Sequence, residues 1–442
     1  MTPGTGRTRR RLLAAAAVAL VLRGAFGLFY WVGKPLTHDE REYLGIARSL
    51  SEGRGFVHDE SVDVGTGQRF GRAPGYPLFL AVIGAGRVPA EPAPGSGAAA
   101  RGDAGSVAPP EGGVPARVKI AQAVVGALTV YLIGVIAWRA AGPRAGVAAA
   151  WLAAWYPPLV WIHAYALSES LFAACALLTA HVVQRAYEAD PARRPSDRLA
   201  LAAGVLAGLS TLVRPAMVFF LPLVLVWFAR HGRTRAAVLV LAASLATLGP
   251  WTVRNARVYD RFILVASEGG VTFWTGNHPL ARGEGDLAAN PALKAAELEF
   301  RRAHAELTPE QLEPLYYRDA LRYIASDPLG WVALLVQKGF YTVIPAGPSY
   351  TLHSTRYRAA SVIPYVLLLP WGVMGVWRVW RSPGRPTAVL LLGLSAVLTG
   401  LVFFPQERFR IPVIDPVLVI GAAVSMTASR QTRRAGDTGA QS

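Results

Sequence analysis

The run Thr37-His38-Asp39-Glu40-Arg41-Glu42-Tyr43 follows an apolar block and sets two carboxylates side by side, Asp39 and Glu40. A carboxylate where apolar walls meet water is partly desolvated, which raises its pKa and makes it a better base. The competing reading is a solvated first turn of a helix, where acids favour the dipole. A third acid, Glu169, stands in Leu167-Ser168-Glu169-Ser170 between two further apolar blocks. An acid at the end of a span is either functional or simply exposed. Cations accompany the acids. Arg69 and Arg72 precede a short apolar segment in Arg69-Phe70-Gly71-Arg72-Ala73-Pro74-Gly75-Tyr76-Pro77. Arg254 and Arg257 follow Pro250-Trp251, and Arg408 and Arg410 stand in Gln406-Glu407-Arg408-Phe409-Arg410-Ile411-Pro412. Guanidinium groups at head-group depth can clamp a phosphate through paired donors, or can contact ordinary lipid head groups. His38, Asp39 and Glu169 could converge on a divalent ion, although no strong metal-ligand spacing is present. The reading therefore requires no cofactor and leaves room for a divalent metal. His163 reads as a packing or interfacial residue.

These residues interrupt a largely apolar chain. Of 442 residues 52% are hydrophobic and 17% charged, against roughly 25% charged in a soluble domain. That excludes intrinsic disorder, and a single cysteine, Cys175, excludes a disulfide framework. The net charge is +17. Nearly all of it is arginine, only Lys34, Lys119, Lys294 and Lys338 being lysine, and no nucleic-acid-binding motif accompanies it. Arginines cluster instead between apolar blocks, at 7–11, 193–198, 230–235, 378–385 and 430–434, as the positive-inside rule expects.

A helix of about 20 apolar residues crosses a bilayer. Such blocks lie at 12–32, 117–138, 146–164, 168–186, 199–229, 235–252, 359–380, 387–404 and 411–428. The first is read as a span whose Arg23 faces the bundle interior, and not as a cleaved signal peptide, because it ends in Phe29-Tyr30-Trp31 without a small-residue cleavage site. The 199–229 block is split by Arg214-Pro215, which places Arg214 at an external turn. The expected fold is an all-α polytopic membrane bundle of about ten spans with both termini cytoplasmic, or about twelve if 76–88 and 331–344 also cross. Region by region, 1–11 is a basic cytoplasmic N-terminus and 12–252 a transmembrane catalytic module with external loop 34–116. An external region with interfacial helices covers 253–358, further spans cover 359–428, and 429–442 is a tail without order. The Ala-, Gly- and Pro-rich stretch 89–116 reads as a loose loop. Gly204 and Gly208 form a helix-packing pair.

In this order the pieces resemble the GT-C membrane glycosyltransferases, nearest to the protein O-mannosyltransferases and the lipid A aminoarabinose transferases. The resemblance rests on DExxY at 39–43, RxPGYP at 72–77, Glu169, GVLAGLSTLVRP ending at Pro215, PWTVRN at 250–255, TGNHP at 275–279 and ERFRIP at 407–412. It implies transfer of a sugar from a polyprenyl-phosphate donor to an acceptor hydroxyl of a glycan, lipid or protein. The active site would lie at the extracytoplasmic face of a bacterial inner membrane. It puts Asp39 in the catalytic site as general base, with inversion at the anomeric carbon. Glu40 and Glu169 would orient acceptor or sugar, though the family usually has Asp at the position of Glu169. Arg72, Arg408 and Arg410 would hold the donor phosphate. Arg72 is an approximate match, since Arg-Ala-Pro stands here for Lys-Pro. Tyr43, Arg254, Asn277 and His278 are candidates for sugar or acceptor contacts, with a plain Gly-Asn turn as the alternative for TGNHP. Two other readings compete: a flippase or transporter of lipid-linked sugar, for which no internal repeat is present, and a non-catalytic membrane scaffold.

Overall fold

A computed structural model describes residues 3–58, 69–86, 113–190, 194–382 and 386–439. The described chain is helical throughout. The first half comprises α1 (Pro3–Ala25), α2 (His38–Ser51), α3 (Gly75–Val82), α4 (Ala116–Ala141), α5 (Pro143–Trp155), α6 (Pro157–Trp161), α7 (Ser168–Glu188), α8 (Arg194–Val213) and α9 (Phe220–Arg230). The second comprises α10 (Thr234–Tyr259), α11 (Gly269–Gly276), α12 (Pro291–Ala303), α13 (Pro309–Ser326), α14 (Pro328–Val343), α15 (Thr355–Trp380), α16 (Thr387–Val402), α17 (Glu407–Arg410) and α18 (Ile414–Gly439). One apolar core joins α1, α4, α5, α7, α8, α9, α15, α16 and α18. A smaller cluster seats α2 and α3 against the segment before α7, and a third joins α11, α12 and α13.

Among the described residues five helices are long and apolar enough to cross a membrane: Thr5–Tyr30, Ala116–Ala141, Ser196–Val213, Thr234–Tyr259 and Thr355–Trp380. A sixth is the pair Pro143–Trp155 and Pro157–Ala164, bent by 65°. The block expected as one continuous span at 146–164 is therefore broken, because Pro157-Pro158 removes two amide donors and restricts Tyr156. Arg23 answers the break. Its guanidinium donates to the carbonyls of Ala153 (3.2 Å) and Ala154 (3.4 Å), which end α5 without helical partners. The side chain is buried in the bundle, as its place in a span requires. Three shorter apolar helices, Pro215–Arg230, Thr387–Val402 and Ile414–Thr427, make up further blocks of the expected ten. α7, which carries Glu169, Thr179, His181 and Gln184, is too polar to join the long set but packs against α4, α8 and α16 at the centre of the bundle.

The split at Arg214-Pro215 is as the sequence indicates. α8 stops at Val213, Arg214 is extended (φ −151°, ψ 119°), and a 3-10 turn over Pro215–Phe219 leads into α9. Gly204 and Gly208 face α10, where an added Cβ at Gly204 would stand 2.4 Å from the Val240 carbonyl. α15 and α18 touch as closely, a Cβ at Gly375 falling 1.7 Å from the Gly421 carbonyl. α3 spans eight residues and is too short to cross. α14 holds Lys338 buried against Asn277 and the Leu401 carbonyl. The loop expected at 89–116 falls outside the described residues up to 112. At the far end α18 runs to Gly439, so the backbone of 429–439 is helical where the sequence reads as a tail without order.

Candidate active site

Asp39 and Glu169 each occupy the first turn of a helix, α2 and α7. Carboxylates there meet the positive end of the helix dipole. Both line one cavity of about 800 Å³. At its polar end stand three guanidinium groups, from the segment before α3 (Arg72), the α8–α9 break (Arg214) and α17 (Arg408). Arg408 bridges the two acids, with Nη1 2.7 Å from Asp39 Oδ2 and Nε 3.7 Å from Glu169. Arg214 pairs with Glu169 at 3.0 Å and donates to the Ser168 hydroxyl at 3.0 Å. Phe409 lies beneath both, its ring centre 4.5 Å from the Arg214 guanidinium and 5.3 Å from that of Arg408. Arg72 takes the other oxygen of Asp39 at 2.8 Å, holds Glu42 through two donors, and reaches Glu268 at 2.9 Å. Tyr43 forms the wall beside it, its ring 5.5 Å from the Arg72 guanidinium.

Burial alone would push the Asp39 carboxyl up, but Arg408 and then Arg72 outweigh it and hold the group well below the usual carboxylate range. Burial likewise opposes the charge on Arg408, and Asp39 followed by Glu169 reverses that, leaving it above the ordinary arginine value. Burial raises the Tyr43 phenol to about 12 and the Glu313 carboxyl to about 7.

The supports of this cluster come from distant parts of the chain. The Gly71 amide donates to the Ser267 hydroxyl (2.7 Å), and the Ser267 amide donates to the Gly71 carbonyl (3.0 Å), which brings Arg72 and Glu268 together. The 263–265 segment is itself pinned to α10: Trp251 donates to the Val265 carbonyl, Thr252 to that of Leu264, and Asn255 to those of Ile263 and Val265. That is the role of PWTVRN here. α17 is anchored by Arg410, which pairs with Asp415 at 3.2 Å, covers the Tyr365 ring at 3.7 Å and donates to the Tyr350 hydroxyl. With Arg410 turned inward, Arg408 faces the cavity.

Of the residues chosen from sequence, Asp39, Tyr43, Arg72, Glu169 and Arg408 are brought together. Glu40 is not among them. It is buried at the start of α2, where one oxygen accepts from the Thr37 amide (2.7 Å) and the other from the Ala166 amide (2.8 Å). It is a tether between the backbones that carry Asp39 and Glu169, not a group free to touch substrate. Arg410 borders the cavity and pairs with Asp415 at 3.2 Å, with Nε and Nη2 buried and without a hydrogen-bond partner among the described residues, and Arg72 is held by three carboxylates. Arg254 lies outside the cavity, against Trp251 (4.8 Å) and the Phe56 carbonyl (3.3 Å). Asn277 is a buried cross-link, donating to the carbonyls of Phe273 and Val402 and accepting from Trp331 and Lys338. His278 accepts from the Leu280 amide and packs on Trp274, away from the cavity. His38, the third candidate for an ion, is half-exposed and faces Glu42 at 3.6 Å. Among the described residues no three His, Cys, Asp or Glu side chains are grouped to hold a metal. Between Asp39 and Glu169 stands the guanidinium of Arg408.

Glu42, Arg214 and Glu268 were not chosen from sequence. Glu42 follows Asp39 by three positions and so shares its helix face, a readable signal. Arg214 was readable as a cation at an external break. Nothing local marks Glu268. The Glu40 tether had a signal too: Thr37-x-x-Glu40 is a capping box, and both of its hydrogen bonds are formed. Replacing Glu40 by Ala leaves the Ala166 amide buried without an acceptor. Stability should fall by about 3 kcal/mol, read by thermal unfolding of the purified chain in detergent.

The sequence matches no protein-family model and no curated protein. Solved structures do match. The apo oligosaccharyltransferase of Archaeoglobus fulgidus superposes with a TM-score of 0.56 at 16% identity, over 97% of this chain and 52% of that one. The same archaeal enzyme, AglB, in complex with an inhibitory peptide and a dolichol-phosphate gives 0.54 at 15% identity, over 99% and 52%. The fold is GT-C. Its complex with Zn and sulfate gives 0.54 at 14%, over 96% and 49%. The chain thus spans about half the length of these GT-C proteins, and at this identity the likeness is one of fold.

Proposed function

We propose that this chain is an integral-membrane glycosyltransferase that moves a sugar from a polyprenyl-phosphate donor to an acceptor hydroxyl at the extracytoplasmic membrane face. The observation that carries the reading is the meeting of Asp39, Glu169, Arg214 and Arg408 in one cavity of a GT-C fold. Beyond the polar end the same cavity is walled by Val213, Pro215, Ala216, Val218, Leu392 and Ala396, which suit the first isoprene units of a lipid tail. Sidedness follows from α7. Glu169 stands at its start, while its far end, where Glu188 pairs with Arg139, leads into the arginines at 193–198 expected inside.

In this reading Arg408 and Arg214 hold the donor phosphate and stabilise the charge that gathers on it as the glycosidic bond breaks. Asp39 accepts the acceptor's hydroxyl proton. The acceptor oxygen bonds to the anomeric carbon from the side opposite the phosphate, and the electron pair of the broken bond stays on the departing polyprenyl phosphate. The acceptor is a glycan, lipid or protein hydroxyl. No step in this reading is routed through a metal.

The test is discharge of labelled hexosyl and pentosyl polyprenyl phosphates by the purified chain in lipid nanodiscs, with a membrane extract as acceptor source. Transfer of label with release of polyprenyl phosphate is the expected result. Movement of intact lipid-linked sugar across a vesicle bilayer without transfer would replace this reading by the transporter one.

A further inference from the structure

Asp39 as the structure shows it is poorly placed to take a proton, because each carboxylate oxygen already accepts a guanidinium hydrogen bond, from Arg72 at 2.8 Å and Arg408 at 2.7 Å. The three arginines at the polar end are not equally committed. Arg72 is held by Glu42 and Glu268 whatever Asp39 does. Arg214 is held by Glu169, Ser168 and the face of Phe409. Arg408 is the most exposed of them at 31%, and its one short carboxylate contact is Asp39. Its other contacts are a 3.1 Å bond from Nε to Gln406, the 3.7 Å approach to Glu169 and the Phe409 ring centre at 5.3 Å.

Resting on the transferase reading above, we propose that Arg408 is an exchange ligand, passed from Asp39 to the donor phosphate when the lipid-linked sugar enters. The phosphodiester and the Asp39 carboxylate are both anions seeking the same planar donor set, so they compete for it. When the phosphate wins, Asp39 Oδ2 loses its partner and gains a free lone pair on the cavity side. The charge that held its proton affinity down moves away and is itself partly neutralised. The base is thus switched on by the substrate it serves, and the empty site keeps it paired. On transfer the acceptor proton goes to Asp39 Oδ2, the acceptor oxygen bonds to the sugar, and the leaving phosphate keeps the electron pair beside Arg408. Loss of that proton to water and return of Arg408 to Asp39 help expel the polyprenyl phosphate.

Competition has a sign that a plain supporting role for Asp39 does not share. Undecaprenyl phosphate, the lipid phosphate without sugar, is titrated into the full-length chain in nanodiscs. Asp39→Asn should bind it about tenfold more tightly than the unmodified chain, because a charged competitor for one charge-assisted hydrogen bond is gone. Arg408→Ala should bind it about tenfold more weakly, and Arg408→Lys should recover part of that loss. The decisive measurement is the double variant: in an Arg408→Ala background, Asp39→Asn should no longer tighten binding. Unchanged or weaker binding by Asp39→Asn, or tightening that persists without Arg408, overturns the exchange while leaving the transferase reading intact. Absence of undecaprenyl phosphate binding by the unmodified chain overturns both.

Discussion

Asp39→Asn is expected to lower sugar transfer by about 10³-fold in kcat, the range in which a positioned general base acts. Asn is nearly isosteric and keeps one oxygen as an acceptor, so packing at the start of α2 is preserved. Arg72 retains Glu42 and Glu268, and Arg408 retains its approach to Glu169, so neither guanidinium is left without a carboxylate. The variant should therefore melt within a few degrees of the unmodified chain while losing turnover. The measurement is single-turnover transfer with donor already bound, which separates chemistry from donor affinity. A kcat within threefold of the unmodified value would remove Asp39 from the proton path.

The second large effect concerns Arg214. Its partner Glu169 is only 2% exposed, and its second cation, Arg408, stands at 3.7 Å. Removing one member of a buried ion pair leaves the other charged and without compensation, which typically costs about 3–5 kcal/mol. Arg214→Met should sit at the lower end, about 3 kcal/mol, because Arg408 remains nearby. The control is the double variant with Glu169→Gln, in which no buried charge is orphaned. Most of the lost stability should return there, although transfer should not. Thermal unfolding of the two variants side by side checks it, and equal destabilisation in both would mean that the pair itself matters little.

Much of this arrangement was open to a reader of the sequence. Arg214-Pro215 announced a helix break because proline's effect is local. The meeting of Asp39 with Glu169 followed from both acids standing at the same end of apolar blocks, where the bilayer leaves few places to go. Other features depended on contacts far along the chain. Glu268 joins Arg72 where Ser267 is hydrogen-bonded to Gly71 through its backbone amide and its hydroxyl. Arg410 and Arg408 are two residues apart in a four-residue helix, and Asp415, Tyr365 and Tyr350, all distant in sequence or on other elements, hold Arg410 inward. Glu40 was misread for a different reason. Its chemistry as a carboxylate drew attention, while its position three residues after Thr37 already assigned it to a helix cap. Span counting met a similar limit. α7, the apolar block at 168–186, carries Glu169, Thr179, His181 and Gln184 and falls short of the long apolar set, yet it packs against α4, α8 and α16.

Arg408 is made long after the acids it bridges. A growing polypeptide leaving the ribosome delivers Asp39, Glu42 and Glu169 first, with Arg72 and Arg214 as their early counter-ions, and inserts 407–410 only after all of them. Until then the polar end lacks the cation that joins α2 to α7. The cluster is thus completed only with α17, and a product halted before residue 403 would carry Asp39, Glu42, Glu169 and Glu268 but not the cation that bridges Asp39 and Glu169.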